Sequence, residues 1–293
     1  MLIHFIHWNV NPEIVNIFGL SLRYYGILFV SGLMLCAYVL KGIFYQENIA
    51  QDKLDTLTIY GVLGIFLGAR LGHCLFYEPA YYLAHPLEML LPIQQTAEGG
   101  YILVGYLGLA SHGGVTGLIV ALILFARSTK ESIINTIDLI SVVAPLGGVF
   151  IRLGNLMNSE IVGLPTAVPW AFVFERQDQV PRHPAQLYEA IAYLMIFWLT
   201  FYLYKKHRPR LQHGFFFGIA LSLVFVARFF IEFLKERQVS FEEQMPLDMG
   251  QLLSLPFIVI GIGFMIYGWR KANRIESDKF NETTGFQNTE SGM

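Results

Sequence analysis

Along the chain, apolar residues gather in seven runs, near residues 22–40, 55–77, 113–127, 133–150, 185–204, 213–234 and 250–269. Most approach the roughly 20 residues that a helix needs to cross about 30 Å of hydrocarbon. No run shows the in-out alternation of an outer-membrane barrel, and an open sheet would leave backbone groups unpaired in lipid. The pattern predicts an all-α fold, a polytopic membrane bundle of about seven transmembrane helices. The third run is unusual. From Gly113 to Ala126 it has 14 apolar or small residues, which at 1.5 Å per residue is about 21 Å of helix. It is expected to begin inside the membrane. Residues 1–22, with His4, Phe5, His7, Trp8 and Pro12, suit an interfacial segment. They do not suit a cleavable signal, because the first Lys or Arg is Arg23.

Composition supports the same class. Length alone would suggest about two soluble domains, but 54% of the 293 residues are hydrophobic and 14% charged, where soluble chains carry about 25% charged. Mean hydropathy is +0.49. A net charge of −2 gives no basic face for nucleic acid. Two cysteines, Cys36 and Cys74, cannot make a disulfide framework, and the eight histidines include no His-Glu-x-x-His pattern. These patterns point to no metal site. The chain divides into a single transmembrane domain over residues 1–275 and a polar tail over 276–293, expected to be cytoplasmic and disordered. Connections after the first, third, fifth and seventh runs hold twelve basic residues, and the opposite side holds six. That asymmetry predicts an N-terminus outside and a C-terminus in the cytoplasm.

Seven charged residues lie in or at the edge of apolar runs: Arg70, Asp138, Arg152, Glu160, Glu189, Arg228 and Glu232. Each costs about 2.5–3.5 kcal/mol at a helix centre on insertion scales. Arg228 and Glu232 are four apart and could simply neutralise each other. The whole set still demands a shared polar interior, as a pathway or a reaction site. Ser111-His112-Gly113-Gly114 opens the third run, where glycines allow close approach of a backbone or a ligand; a capped helix with small packing residues is the plainer alternative. Arg152, Asn155, Asn158 and Glu160 crowd into nine residues before Gly163. A guanidinium fork fits phosphate and the amides fit hydroxyls, although an ordinary headgroup-level loop would also be polar. Arg182-His183-Pro184 precedes Gln186 and Glu189, with proline as a helix-start signal. A transporter would also need intramembrane charge, but the segments show no paired halves. A structural subunit would not explain polar motifs gathered at one membrane face.

Taken together, these motifs resemble bacterial prolipoprotein diacylglyceryl transferases over nearly all of the chain before the tail. Tyr24-Tyr25-Gly26, Gly68-Ala69-Arg70-Leu71-Gly72, Ser111-His112-Gly113-Gly114 with Gly117, Arg152-Leu153-Gly154-Asn155 through Gly163, Arg182-His183-Pro184 through Glu189, Arg228-Phe229-Phe230-Ile231-Glu232-Phe233 and Met249-Gly250-Gln251 occur in the family's order. Phe233-Leu234-Lys235-Glu236-Arg237 departs from the family's usual ending. The resemblance implies the first step of lipoprotein maturation, in the bacterial cytoplasmic (inner) membrane. A diacylglyceryl group would pass from phosphatidylglycerol to the lipobox cysteine thiol of a prolipoprotein signal peptide, releasing glycerol phosphate, with no metal or organic cofactor required because the lipid supplies its own leaving group. Arginines would stabilise the phosphate leaving group, and a base would generate the thiolate. The implied catalytic set is His112 as base, Arg152 and Arg228 on the phosphate, and Tyr25. Arg152, Asn155, Asn158, Glu160, Gly163, Arg70, Gly113, Gly114, Gln186, Glu189 and Glu232 would bind substrate.

Overall fold

The computed structural model describes residues 5–17, 20–96, 98–104, 108–208, 211, 214–237 and 245–290. Of the features above, residues 1–4, Arg210 and 291–293 lie outside them. Among the described residues, seven helices are long and apolar enough to cross a membrane. They are α1 (Tyr24–Gln46), α2 (Gln51–Phe76), α5 (Ser111–Thr129), α6 (Ile133–Met157), α7 (Ala185–His207), α8 (Phe215–Glu232) and α9 (Met249–Glu290). Short helices α3 (Pro79–Ala84) and α4 (Pro86–Leu90) sit between α2 and α5. Met34, Phe76, Met195, Trp198 and Val259 are each more than half exposed. Such outward apolar side chains suit lipid rather than water as the solvent. The protein is a helical, multi-pass membrane protein.

The chain forms two compact units, one of residues 11–27 and 37–136, the other of residues 1–10, 28–36 and 137–293. In the first, α2 and α5 pack backbone to backbone. Gly64, Gly68 and Gly72 recur every four residues on α2 and meet Gly113 and Gly117 of α5. A Cβ on Gly68 would strike the Gly113 carbonyl, and one on Gly117 would strike that of Gly64. Small residues at this spacing let helices approach closely without help from water. α5 has 19 residues, or about 28 Å, so it is longer than the short segment expected. Polar residues extend it. Ser111 and His112 form its first turn, while Ser128 and Thr129 bond back to the Phe125 carbonyl at 3.0 and 2.8 Å. Lys130, at φ 59°, ends it. α3 and α4 each start on a proline, where the missing N–H costs nothing. β4 (Ile93–Gln95) and β5 (Tyr101–Leu103) pair antiparallel. β2 (Glu13–Ile17) and β3 (Leu20–Arg23) do the same, so part of the expected interfacial stretch is a hairpin.

In the second unit, α6, α7 and α8 close around Val149, Ala190, Tyr193 and Ile196, with Leu223, Val224 and Ala227 against them. α8 and α9 touch where Gly218 faces Gly261 and Met265. Asp138 of α6 is fully buried. It accepts the Gly214 and Phe217 N–H groups at 2.8 and 2.9 Å, with Arg208 Nη1 3.8 Å away. One helix thus caps another, satisfying donors that α8 cannot pair internally. At the other end of α6, β1 (Ile6–Trp8) runs parallel to β6 (Phe172–Phe174), which pairs antiparallel with β7 (Pro181–Arg182). Trp8 and Phe172 join Leu156, Val162, Phe174 and Leu187 in a second apolar cluster. The Trp8 indole donates to the Leu156 carbonyl at 3.0 Å. This small sheet fixes where α6 ends, and that end carries the polar motif.

Candidate active site

Arg152 and Asn155 lie inside the last turns of α6, not beyond it as the hydrophobic pattern suggested. Three residues apart on a helix, they share a face, and Arg152 Nη1 donates to Asn155 Oδ1 at 3.0 Å. The helix stops by reversal. Ser159 takes φ 55°, its N–H bonds the Leu156 carbonyl at 3.0 Å, and the Glu160 N–H reaches the Asn155 carbonyl at 2.9 Å. This is the Schellman arrangement, usually built on glycine. It folds Glu160 back over the helix end, where Asn155 Nδ2 and Asn158 Nδ2 donate to its carboxylate at 3.2 and 3.0 Å. Gln186, fully buried on α7, donates to the Glu160 backbone carbonyl. Four of the predicted residues are therefore brought together with Gln186 by one turn.

A buried ionic network continues from Arg152. Its Nε lies 2.9 Å from Glu189 Oε2, but the N–H is not aimed for a hydrogen bond. Glu189 is fully buried, and its Oε1 binds Lys235 Nζ at 3.0 Å. The same ammonium holds Glu232 Oε2 at 2.9 Å. Glu232 lies against Gly250, where a Cβ would fall on its carboxylate. The simple Arg228–Glu232 pair allowed by the sequence is not formed. Glu232 turns to Lys235, and Arg228 Nε is buried with no hydrogen-bond partner. Lys235 was not among the residues selected from sequence. The available signal was a basic residue three places after Glu232, at the end of an apolar helix.

Gly163 holds the loop that carries Glu160. Its N–H donates to the His183 carbonyl at 3.0 Å, and the next residue's N–H to the Leu234 carbonyl at 2.8 Å. A Cβ at Gly163 would collide with the His183 carbonyl. Arg182 locks the same loop. It binds Asp178 through Nε at 3.1 Å, Glu236 at 3.1 Å and the Gly163 carbonyl at 3.3 Å. The hydrogen bond from Arg182 keeps the Asp178 carboxyl below the usual carboxylate range.

The remaining predicted residues belong to the other unit. Gly113 and Gly114 are buried, and Gly113 packs against α2 backbone, the plainer of its two readings. Arg70 is 4% exposed. Its guanidinium donates to the carbonyls of Glu88 at 2.5 Å, Met89 at 3.1 Å and Gly108 at 3.4 Å, and sits over the Tyr82 ring at 4.8 Å. It organises the segment between α2 and α5. Tyr25 is half-buried in the first turn of α1. His112 is exposed at the start of α5, stacked on Tyr77 at 5.8 Å and edge-on to Phe76 at 5.7 Å. It stands on the wall of an apolar groove of about 590 Å³ between α2 and α5, lined also by Leu67, Leu71, Leu75, Val120 and Leu124.

A family profile described as prolipoprotein diacylglyceryl transferase matches residues 12–267. The chain belongs to the prolipoprotein diacylglyceryl transferase family. A Bacteroides fragilis protein named phosphatidylglycerol–prolipoprotein diacylglyceryl transferase is 53% identical over 268 residues, covering 91% of this chain and 97% of the relative. Proteins of the same name from Chloroherpeton thalassium and Porphyromonas gingivalis are 42% and 40% identical over 259 and 278 residues. They cover 88% and 89% of this chain and 92% and 94% of their own. The span matched to the diacylglyceryl transferase profile contains every site residue named above, from Tyr25 to Gly250.

Proposed function

We propose that this protein transfers the diacylglyceryl group of phosphatidylglycerol to the lipobox cysteine thiol of a prolipoprotein, forming a thioether and releasing glycerol phosphate. The observation that carries the reading is Arg228. Its buried Nε has no protein partner, while the carboxylate four residues on is held by Lys235. A buried N–H donor left unpaired calls for an acceptor, and the acceptor supplied by this substrate is the lipid phosphate. Arg152, oriented by Asn155 and Glu189, is the second phosphate ligand. Asn158, Glu160 and Gln186 hold the headgroup side of the site, and Gly163 sets the loop.

In this reading the thiol proton passes to His112 and the sulfur pair forms a bond to the glyceryl methylene carbon. The carbon–oxygen bond to phosphate breaks, its electron pair staying on the phosphate oxygen, where the arginines stabilise it. The proton then returns to the leaving phosphate or to water. The lipid carries its own leaving group, so the reaction is written without metal or cofactor. Tyr25 positions the base or the lipid, and the groove beside His112 suits acyl chain. The twelve-to-six distribution of basic residues supports an external N-terminus, a cytoplasmic C-terminus and placement in the bacterial cytoplasmic membrane.

The decisive assay combines purified protein, phosphatidylglycerol vesicles and a lipobox peptide. Glycerol phosphate is expected to appear in step with the lipidated peptide. Intact peptide and no glycerol phosphate, under conditions where a relative of known activity turns over, would overturn the reading.

A further inference from the structure

Arg228 and Glu232 lie four apart on α8, the spacing at which opposite charges on a helix normally close on each other. They do not, and the reason is Lys235. The chain leaves α8 after Glu232 and is pinned at once: the Lys235 N–H bonds the Glu232 carbonyl at 3.0 Å, the Glu236 N–H bonds the Val162 carbonyl at 3.2 Å, and Lys235 bridges to Gly163. This geometry turns the Lys235 side chain inward, to 6% exposure. A lysine ammonium has three donors and no preferred plane, so it can serve Glu189 Oε1 at 3.0 Å and Glu232 Oε2 at 2.9 Å together. Arg152 and Lys235 thus take up Glu189, and Lys235 takes up Glu232 as well. Arg228 is left out of this exchange, and its buried Nε has no partner.

We infer that Lys235 is a positioning residue that sets phospholipid affinity: by engaging both Glu189 and Glu232 it keeps Glu232 off Arg228 and leaves that guanidinium for the lipid phosphate. The inference rests on the reading of Arg228 as a phosphate ligand. Lys235 touches no substrate in it. The residue acts by occupying the wrong partner.

The test measures KM for phosphatidylglycerol and kcat with a lipobox peptide, for the full chain in vesicles, in Lys235→Met, Lys235→Arg, Lys235→Met with Glu232→Gln, and Arg228→Met. Lys235→Met frees Glu232 to close on Arg228. It should raise KM by about ten- to hundredfold, the worth of one charge-assisted hydrogen bond, with a much smaller change in kcat. Lys235→Arg keeps a cation in place and should recover most of that loss. Adding Glu232→Gln to Lys235→Met removes the competing carboxylate and should lower KM again by about tenfold. A merely structural lysine would not behave so, because the double variant would bind lipid no better than Lys235→Met. That result, or an unchanged KM in Lys235→Met, overturns the inference. If Lys235→Met does not fold, Lys235→Arg and the double variant decide by their KM values alone. Arg228→Met separates the two levels: an unchanged KM there sinks the phosphate-ligand reading itself, whereas a raised KM there with an unchanged KM in Lys235→Met sinks only the role of Lys235.

Discussion

Arg152 has two of its nitrogens facing protein groups, Nη1 on Asn155 and Nε beside Glu189. Lysine carries charge to the same place but cannot meet two partners in one plane. Arg152→Lys is therefore expected to lose turnover by about a hundredfold or more, the scale of removing a single oxyanion donor; near-normal glycerol phosphate release would remove Arg152 from the chemistry. His112→Gln should retain lipid binding and lower the rate by about 10²–10⁴, the usual worth of positioned proton transfer. A rate close to that of the parent would send the search for the base elsewhere. Residues of this kind were legible in the sequence because charge in an apolar run has to be explained. Their partners were legible only in part. Arg70 is expected from sequence to bind substrate, and the structure also gives its guanidinium the carbonyls of Glu88, Met89 and Gly108. Every residue has a carbonyl, so such a partner leaves no mark in the sequence. Lys235 was missed because it follows the apolar run and passes for an ordinary flanking cation.

Helices were found by their apolar interiors and misjudged at their ends, since the last turns of α5 and α6 are built from polar residues. The glycines were visible, but whether each served packing or substrate was not. Geometry now separates them. At Gly117 a side chain meets the Gly64 carbonyl on the facing helix, whereas at Gly42 a Cβ meets nothing within 4 Å. Gly117→Val should force α2 and α5 apart, costing about 1–3 kcal/mol or more as overpacking. Gly42→Ala should be neutral or stabilise by up to about 1 kcal/mol through helix propensity. Thermal melts of the two variants in detergent check both, and equal melting temperatures would refute the tight crossing. The Gly163–Arg182 loop carries a pH signature. Its Asp178 carboxyl is held below the usual range by the hydrogen bond from Arg182, so the pair stabilises the folded state above the unfolded pKa of about 3.9. That contribution is lost as pH falls through the lower, folded value. Asp178→Asn should melt below the parent at pH 7, and the gap should narrow progressively as pH falls below about 3.9. A gap independent of pH would assign the effect to something other than this pair.

For the whole molecule, the seven spans and the transferase class could be read from hydrophobic pattern and ordered motifs, whereas the short strands of two to five residues could not. Their apolar alternation is too brief to register and depends on partners far along the chain, as when Ile6 pairs with Phe172. Orientation is open to direct test. A reporter fused after Lys279 should signal from the cytoplasm and one inserted within residues 80–105 from outside; the opposite pattern would invert the proposed placement of the site. The cap that Asp138 provides for α8 also has a consequence in time. The carboxylate is made with α6, while the amides it accepts lie 76 and 79 residues later. At a synthesis rate of about 5–20 residues per second, the acid waits roughly 4–16 s for them. During that interval an unsatisfied carboxylate sits at the start of an apolar helix, and it must stay in contact with water or the translocation machinery until α8 emerges. The order of the helices along the chain thus sets a schedule for assembly, with the docking of α8 as the event that lets α6 settle.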